Sequence, residues 1–278
     1  MRSIILKKLF VAALVLAHVA FISCEKNPAE SEKNNPPKLP PQTSMAVDLS
    51  LFSSSQGLAK IGQEQMAGAN FTNAALRVLV INTTVVAGMS VPVIVWAAAA
   101  SQQPVLGADG KFHWIYTVQS GAQIFQADLA GWIDVPARQS VWEMYITSTT
   151  HVPALAKFLW YSGRANLDAT SGYWEFFDDK TPATNTKVLR IDWQSTAPDK
   201  ATLTFLVVKP GVPENGDQLT YRVDGVLRQI TLFDKSANTT LDIGWNAQTG
   251  AGYLLAPDYH NGQKACWDEN RNDVVCTG

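Results

Sequence analysis

Carboxylates, histidines and aromatics are the side chains of this 278-residue chain that could do chemistry or grip a ligand, and their spacing gives each of them two readings. Asp178-Asp179 stand side by side, while Glu143 and Glu175 stand singly in runs of strand character. A pair that cleaves glycosides needs two carboxyl groups facing each other across the bond; turns and outer faces are the commoner place for such residues. His113, His151 and His260 are far apart in sequence and are read as strand or surface histidines rather than as bases or ligands. Asp268, Asn270 and Asn272 recur at spacing two and are followed by Asp273, the spacing with which a calcium loop opens. Such a loop needs glycine where Asp273 stands, so a polar turn is the alternative, and no metal or other cofactor is expected. No G-x-S-x-G, H-E-x-x-H, C-x-x-C or phosphate-binding glycine loop occurs, and Gly250-Ala251-Gly252 lacks the third glycine of a dinucleotide fingerprint.

Nine tryptophans are many for this length. Trp114, Trp142, Trp193 and Trp245 fall on the apolar phase of alternating runs, where core packing is the default. Trp160 beside Tyr161 and Tyr173 beside Trp174 would place aromatics on both faces of a sheet. An exposed aromatic surface able to stack on sugars is expected there if anywhere.

The elements that must position these residues are of two kinds. Residues 74–100, AALRVLVINTTVVAGMSVPVIVWAAAA, carry no charge after Arg77 and predict one long helix, opened by Asn70-Phe71-Thr72-Asn73 and kinked at Pro92. It is long enough to cross a bilayer, but Asn82, Thr83, Thr84 and Ser90 need polar partners, so burial within protein is preferred to a membrane span. Downstream the period becomes two. Phe112, Trp114, Tyr116 and Val118 alternate with His113, Thr117 and Gln119, and the same period runs through Trp142, Met144 and Ile146; Leu189, Ile191 and Trp193; and Leu241, Ile243 and Trp245. Asp109-Gly110, Ser120-Gly121, Ser171-Gly172, Asn215-Gly216, Asp224-Gly225 and Thr249-Gly250 punctuate them as turns. Met45, Val47, Leu49 and Leu51 also alternate, in a possible first strand. The fold class expected is mainly β with one long buried helix: a strongly curved antiparallel meander, half-barrel-like, wrapped around the helix of 74–100. In outline this is similar to the open half-barrels of lipoprotein carriers, a likeness of shape alone; a β-sandwich carrying one helix is the alternative.

At the N-terminus Arg2, Lys7 and Lys8 precede the apolar run LFVAALVLAHVAFI, which ends at Ser23-Cys24. Phe21-Ile22-Ser23-Cys24 resembles the lipobox of bacterial lipoprotein precursors, with Phe21 in place of the usual Leu. The resemblance implies a signal peptide over 1–23, cleavage before Cys24, and acylation of Cys24 as a membrane anchor. Residue 25 is Glu rather than the Asp associated with inner-membrane retention, which points to the outer membrane, in either leaflet. EKNPAESEKNNPPKLPPQT follows, without aromatics, and is expected to be a disordered, proline-rich tether over 24–43. A single domain over 44–258 and a tail over 259–278 complete the chain. With Cys24 acylated, Cys266 and Cys276 are the remaining cysteines and in an exported protein read as a local disulfide, with a metal pair as the alternative.

Net charge is −2, or −5 once Arg2, Lys7 and Lys8 are removed, and no basic patch occurs, so nucleic acid is not an expected partner. Function is expected to be non-enzymatic, a structural or binding role in the envelope. The alternatives are a carrier holding a lipid or other apolar ligand between sheet and helix, and a hydrolase of envelope polymers. Partners would be the membrane through Cys24 and an apolar ligand or envelope protein.

Overall fold

The computed structural model describes residues 35–53, 68–81 and 87–276. The signal stretch, Cys24 and the first part of the tether lie outside the described residues.

The protein is mainly antiparallel β. Fourteen strands form one open sheet in which spatial order follows chain order. They are β1 (Val105–Leu106), β2 (Phe112–Ser120), β3 (Gln123–Asp134), β4 (Gln139–Ser148), β5 (Leu155–Asn166), β6 (Ser171–Phe177) and β7 (Lys187–Ala197). After these come β8 (Lys200–Val207), β9 (Gln218–Asp224), β10 (Leu227–Asp234), β11 (Thr239–Asn246), β12 (Gly252–Leu255), β13 (Ala265–Trp267) and β14 (Asp273–Val274). The alternating runs explain the strands: in β2, Phe112, Trp114, Tyr116 and Val118 are buried and the residues between them are not. Gly121 and Gly225 take positive φ, 59° in both, in the tight connections β2–β3 and β9–β10, as two-residue hairpins require. Ser171-Gly172 is not a turn but opens β6; the chain reverses just before it, where Asn166 Oδ1 accepts the Thr170 N–H at 2.8 Å.

The expected single helix is two. α1 spans Ala69–Ile81 and α2 spans Ala87–Ala99, with residues 82–86 between them outside the described residues. Neither is apolar on a fully buried surface. α1 buries Phe71, Ala74, Ala75, Val78 and Ile81, at helical spacing, and exposes Leu76, Leu79 and Val80. α2 buries Met89, Pro92, Val95, Trp96 and Ala99 and exposes Ile94. Pro92 lies inside α2 and does not end it. Among the described residues no helix is long and apolar enough to cross a membrane.

Residues 37–53 form a strap across the sheet's inner face rather than a strand. Pro37 and Pro40 are buried, so the packed unit extends back into the proline-rich stretch. Lys38 Nζ donates to Asp168 O at 2.9 Å, at the β5–β6 connection. Trp174 Nε1 on β6 donates to Ser44 Oγ at 3.1 Å. At the far end Phe52 packs edge-on against Trp245 of β11 (5.1 Å) and flat on Phe71 of α1 (5.7 Å). Met45 and Leu49 are buried in between. Their alternation reports one side facing the sheet, not pairing within it.

Candidate functional site

Aromatics on the inner face of β2 to β6 form a cage around one side chain of α2. Trp96 lies 4.7 Å from Trp174, 5.6 Å from Trp142 and 6.4 Å from Tyr161, ring centre to ring centre. Its Nε1–H, which burial would otherwise leave costly, donates to the Pro40 carbonyl at 3.2 Å. Tyr116 of β2 donates its hydroxyl to the Val95 carbonyl at 2.6 Å, fixing α2 on the sheet, and burial raises its pKa well above the usual phenol value.

The aromatic surface expected at Trp160, Tyr161, Tyr173 and Trp174 is therefore mostly interior. Trp160, Tyr161 and Trp174 are 6%, 0% and 1% exposed. Trp160 and Tyr161 are neighbours, yet both are buried, because the β4–β5 register slips between Met144 and Tyr145 and the extra residue breaks strict alternation. Tyr173 alone lies outward, under the Arg190 guanidinium at 4.1 Å.

Below this cage, α1, α2, β5 to β8 and Leu232 of β10 line a cavity of about 630 Å³ that is open on one side. Ile81, Met89 and Pro92 form one wall and Trp160, Phe176, Phe177, Leu189 and Val207 the other. Size and lining suit an apolar ligand of small-lipid dimensions. Its polar residues come from two connections at one end of the sheet: Asp178 and Asp179 after β6, and Lys209, Glu214 and Asp217 between β8 and β9. Burial works against charge on Asp178, but Lys209 Nζ at 2.8 Å, the Lys180 N–H and the Thr181 hydroxyl outweigh it and lower the carboxyl pKa. His151, buried in the β4–β5 connection, places Nδ1 2.7 Å from the Pro153 carbonyl and Nε2 3.3 Å from Asp179.

The other expected carboxylates do not converge. Glu143 meets Lys111 at 2.8 Å and accepts from the Tyr145 hydroxyl, and Glu175 meets Lys187 at 2.8 Å, both outside the cavity lining. His113 is held between two carboxylates: Nδ1 is 2.7 Å from Asp128 and Nε2 3.2 Å from Asp109. Partial burial opposes its protonation, yet these two partners prevail and raise its pKa. His260 stands apart, edge-on to Tyr259.

The tail residues serve α1. Asp273 Oδ1 accepts the Asn70 N–H at 2.9 Å and Oδ2 the Ala69 N–H at 3.1 Å, so the helix cap comes from β14 and not from Asn70-Phe71-Thr72-Asn73. Asp268 folds its own turn by accepting the N–H groups of Asn270 and Asn272 at 2.9 and 2.8 Å. Among the described residues no cluster of three metal-ligating side chains occurs, and the carboxylates that share a calcium loop's opening spacing, Asp268 and Asp273, accept backbone N–H groups. Cys266 and Cys276 are joined in a disulfide that ties β13 to the residues just past β14. The backbone permits no looser fit here: Gly68 donates to Arg271 O at 2.7 Å, and a Cβ on it would meet the Asp273 backbone nitrogen at 2.6 Å.

Compared with known proteins, the chain matches no protein-family model, no curated protein and no solved structure.

Two outcomes are expected. Asp273→Ala removes the cap and should cost about 0.5–2 kcal/mol in urea unfolding. The same substitution in a Cys266→Ser/Cys276→Ser background should cost less, because β14 is then no longer held at the helix; equal costs in both backgrounds would separate the disulfide from the cap. For His113, the folded state favours the protonated ring, so its contribution is fully present below the unfolded pKa, roughly 6.5, and is lost as pH rises through the raised folded value. Unfolding midpoints should therefore fall over this window in the native chain and fall less in His113→Gln.

Proposed function

We propose that this protein is a lipid-anchored envelope lipoprotein that binds an apolar ligand in the cavity between its helices and sheet. The observation that carries the binding role is the cavity: about 630 Å³, walled by Met89, Pro92, Trp160, Phe176, Leu189 and Val207, with charged residues gathered at one end. The shape that goes with this reading is a sheet curled around the two helices. α2 packs on β2 and α1 on β12 and β13, which are near opposite ends of the strand order. A flat sheet would hold those strands roughly 50 Å apart, and in the shape proposed here the sheet curves to bring them toward the two helices. Such an open half-barrel would leave an interior that two short helices fill only in part.

The anchor rests on the N-terminal sequence. Arg2, Lys7 and Lys8, an apolar run, and Phe21-Ile22-Ser23-Cys24 resemble a lipoprotein signal, and the proline-rich residues after Cys24 suit a spacer. Attachment is at Cys24, with the outer membrane as destination. Glu143, Glu175 and Asp178, among the carboxylates that a hydrolase would need, are each held by a lysine ammonium at 2.8 Å, which favours binding over hydrolysis.

The test uses the full chain expressed in a bacterial host. Labelled palmitate should be incorporated and should be lost in Cys24→Ser. Native mass spectrometry with solvent extraction should find one apolar molecule per chain, and Val207→Trp, which fills the cavity, should reduce occupancy at least tenfold with circular dichroism unchanged. A chain that neither retains nor takes up any apolar molecule would sink the binding role.

A further inference from the structure

We infer that the cavity selects a single-chain amphiphile whose head group is cationic and donates hydrogen bonds, such as a long-chain amine, with the chain inside and the head at the mouth. This rests on reading the cavity as a binding site, and it adds the ligand's chemistry.

The cavity has two chemically distinct ends. Its interior residues offer hydrocarbon and aromatic surface, which holds an alkyl chain without regard to its head. The mouth is built by the β6–β7 and β8–β9 connections and carries Asp178, Asp179, Glu214 and Asp217 against Lys209, four carboxylates to one ammonium, a formal charge of −3. Lys209 is engaged with Asp178 at 2.8 Å and so does not offset the rest. Asp179 has His151 at 3.3 Å and the exposed Lys180 at 3.9 Å. Asp217 accepts the Lys235 backbone N–H at 2.9 Å, and the Lys235 ammonium lies by the Asn215 carbonyl at 3.4 Å, outside the lining. Among the described residues, Glu214 and Asp217 enter no ion pair.

The helical wall adds no backbone donor at residue 92 to set against these carboxylates. Gly88 and Pro92 both line the cavity, one helical turn apart. Proline has no N–H, so the Gly88 carbonyl lacks the donor that an ordinary residue 92 would give it. The charged groups at the mouth are mainly carboxylate acceptors. An anionic head would meet like charges there, whereas an ammonium meets opposite charges and acceptors for its three N–H groups.

Displacement of a fluorescent apolar probe, N-phenyl-1-naphthylamine, from the full chain tests this with dodecylamine, dodecanol and dodecanoate, all below their micellar concentrations. At neutral pH dodecylamine should displace the probe at a concentration at least tenfold lower than dodecanoate, with dodecanol between them. Glu214→Gln should shrink that preference and Glu214→Lys should reverse it, with dodecanol binding unchanged in both; the side chain is exposed, so the fold is retained. Dodecanoate binding as tightly as dodecylamine overturns the head-group assignment and leaves the cavity reading standing. Failure of the probe and of all three compounds to bind overturns the cavity reading itself.

Discussion

A sheet of this width has one apolar face and too little helix to cover it. Fourteen strands laid flat would extend roughly 60 Å across, and each of the two 13-residue helices is only about 20 Å long. Most of what distinguishes the molecule answers that constraint. The strap of residues 37–53 lies across the strands where the helices do not reach, and large side chains do the work of missing backbone: Trp96, Trp142, Trp174 and Tyr161 fill one region, Phe52, Phe71, Trp245 and Trp267 another. Loss of one such ring from a closely packed interior commonly costs about 3–5 kcal/mol. The high tryptophan content is therefore first a matter of volume. The cavity is the region that neither strap, helices nor rings occupy.

Close approach is the other side of the same economy of space. Gly131 of β3 sits where a Cβ would meet the Trp142 ring at 2.5 Å, and Gly163 of β5 where one would meet Trp174 and the Tyr173 carbonyl. Each glycine makes room for an indole on the neighbouring strand. These pairs lock register as well as packing, since a slip of one residue would drive a side chain into the ring.

The strands were legible because alternation needs nothing beyond the chain itself. Phe112 to Val118, Ile191 to Trp193 and Ile243 to Trp245 point inward as their period requires. What was not legible depends on partners far away. The helix of 74–100 read as fully buried because composition cannot show that Leu76, Leu79, Val80 and Ile94 lie on a side away from the core. Trp160 and Tyr161 read as opposed because the bulge between them is a property of the β4–β5 pair, not of either strand. Asp273 read only as part of a polar turn because the helix end it caps is some 200 residues away in the chain, and Pro37 and Pro40 read as linker because an extended proline segment looks the same whether solvated or laid on a surface. The cavity is lined from two helices and several strands with loops, which no local pattern unites.

The cap on α1 also sets a timetable. Its donors, on Ala69 and Asn70, wait for a carboxylate 204 and 203 positions further along, and Phe71 packs against Trp267 at a comparable remove. A ribosome adding some 5–20 residues per second delivers that carboxylate at least about ten seconds after the helix has emerged. Until then α1 has an unsatisfied end and an apolar side with only Phe52 of the strap to rest on, and the early part of the chain cannot settle. The hairpins can form in turn as each becomes available, but the layer that covers them is completed only when the stretch around Cys266 arrives.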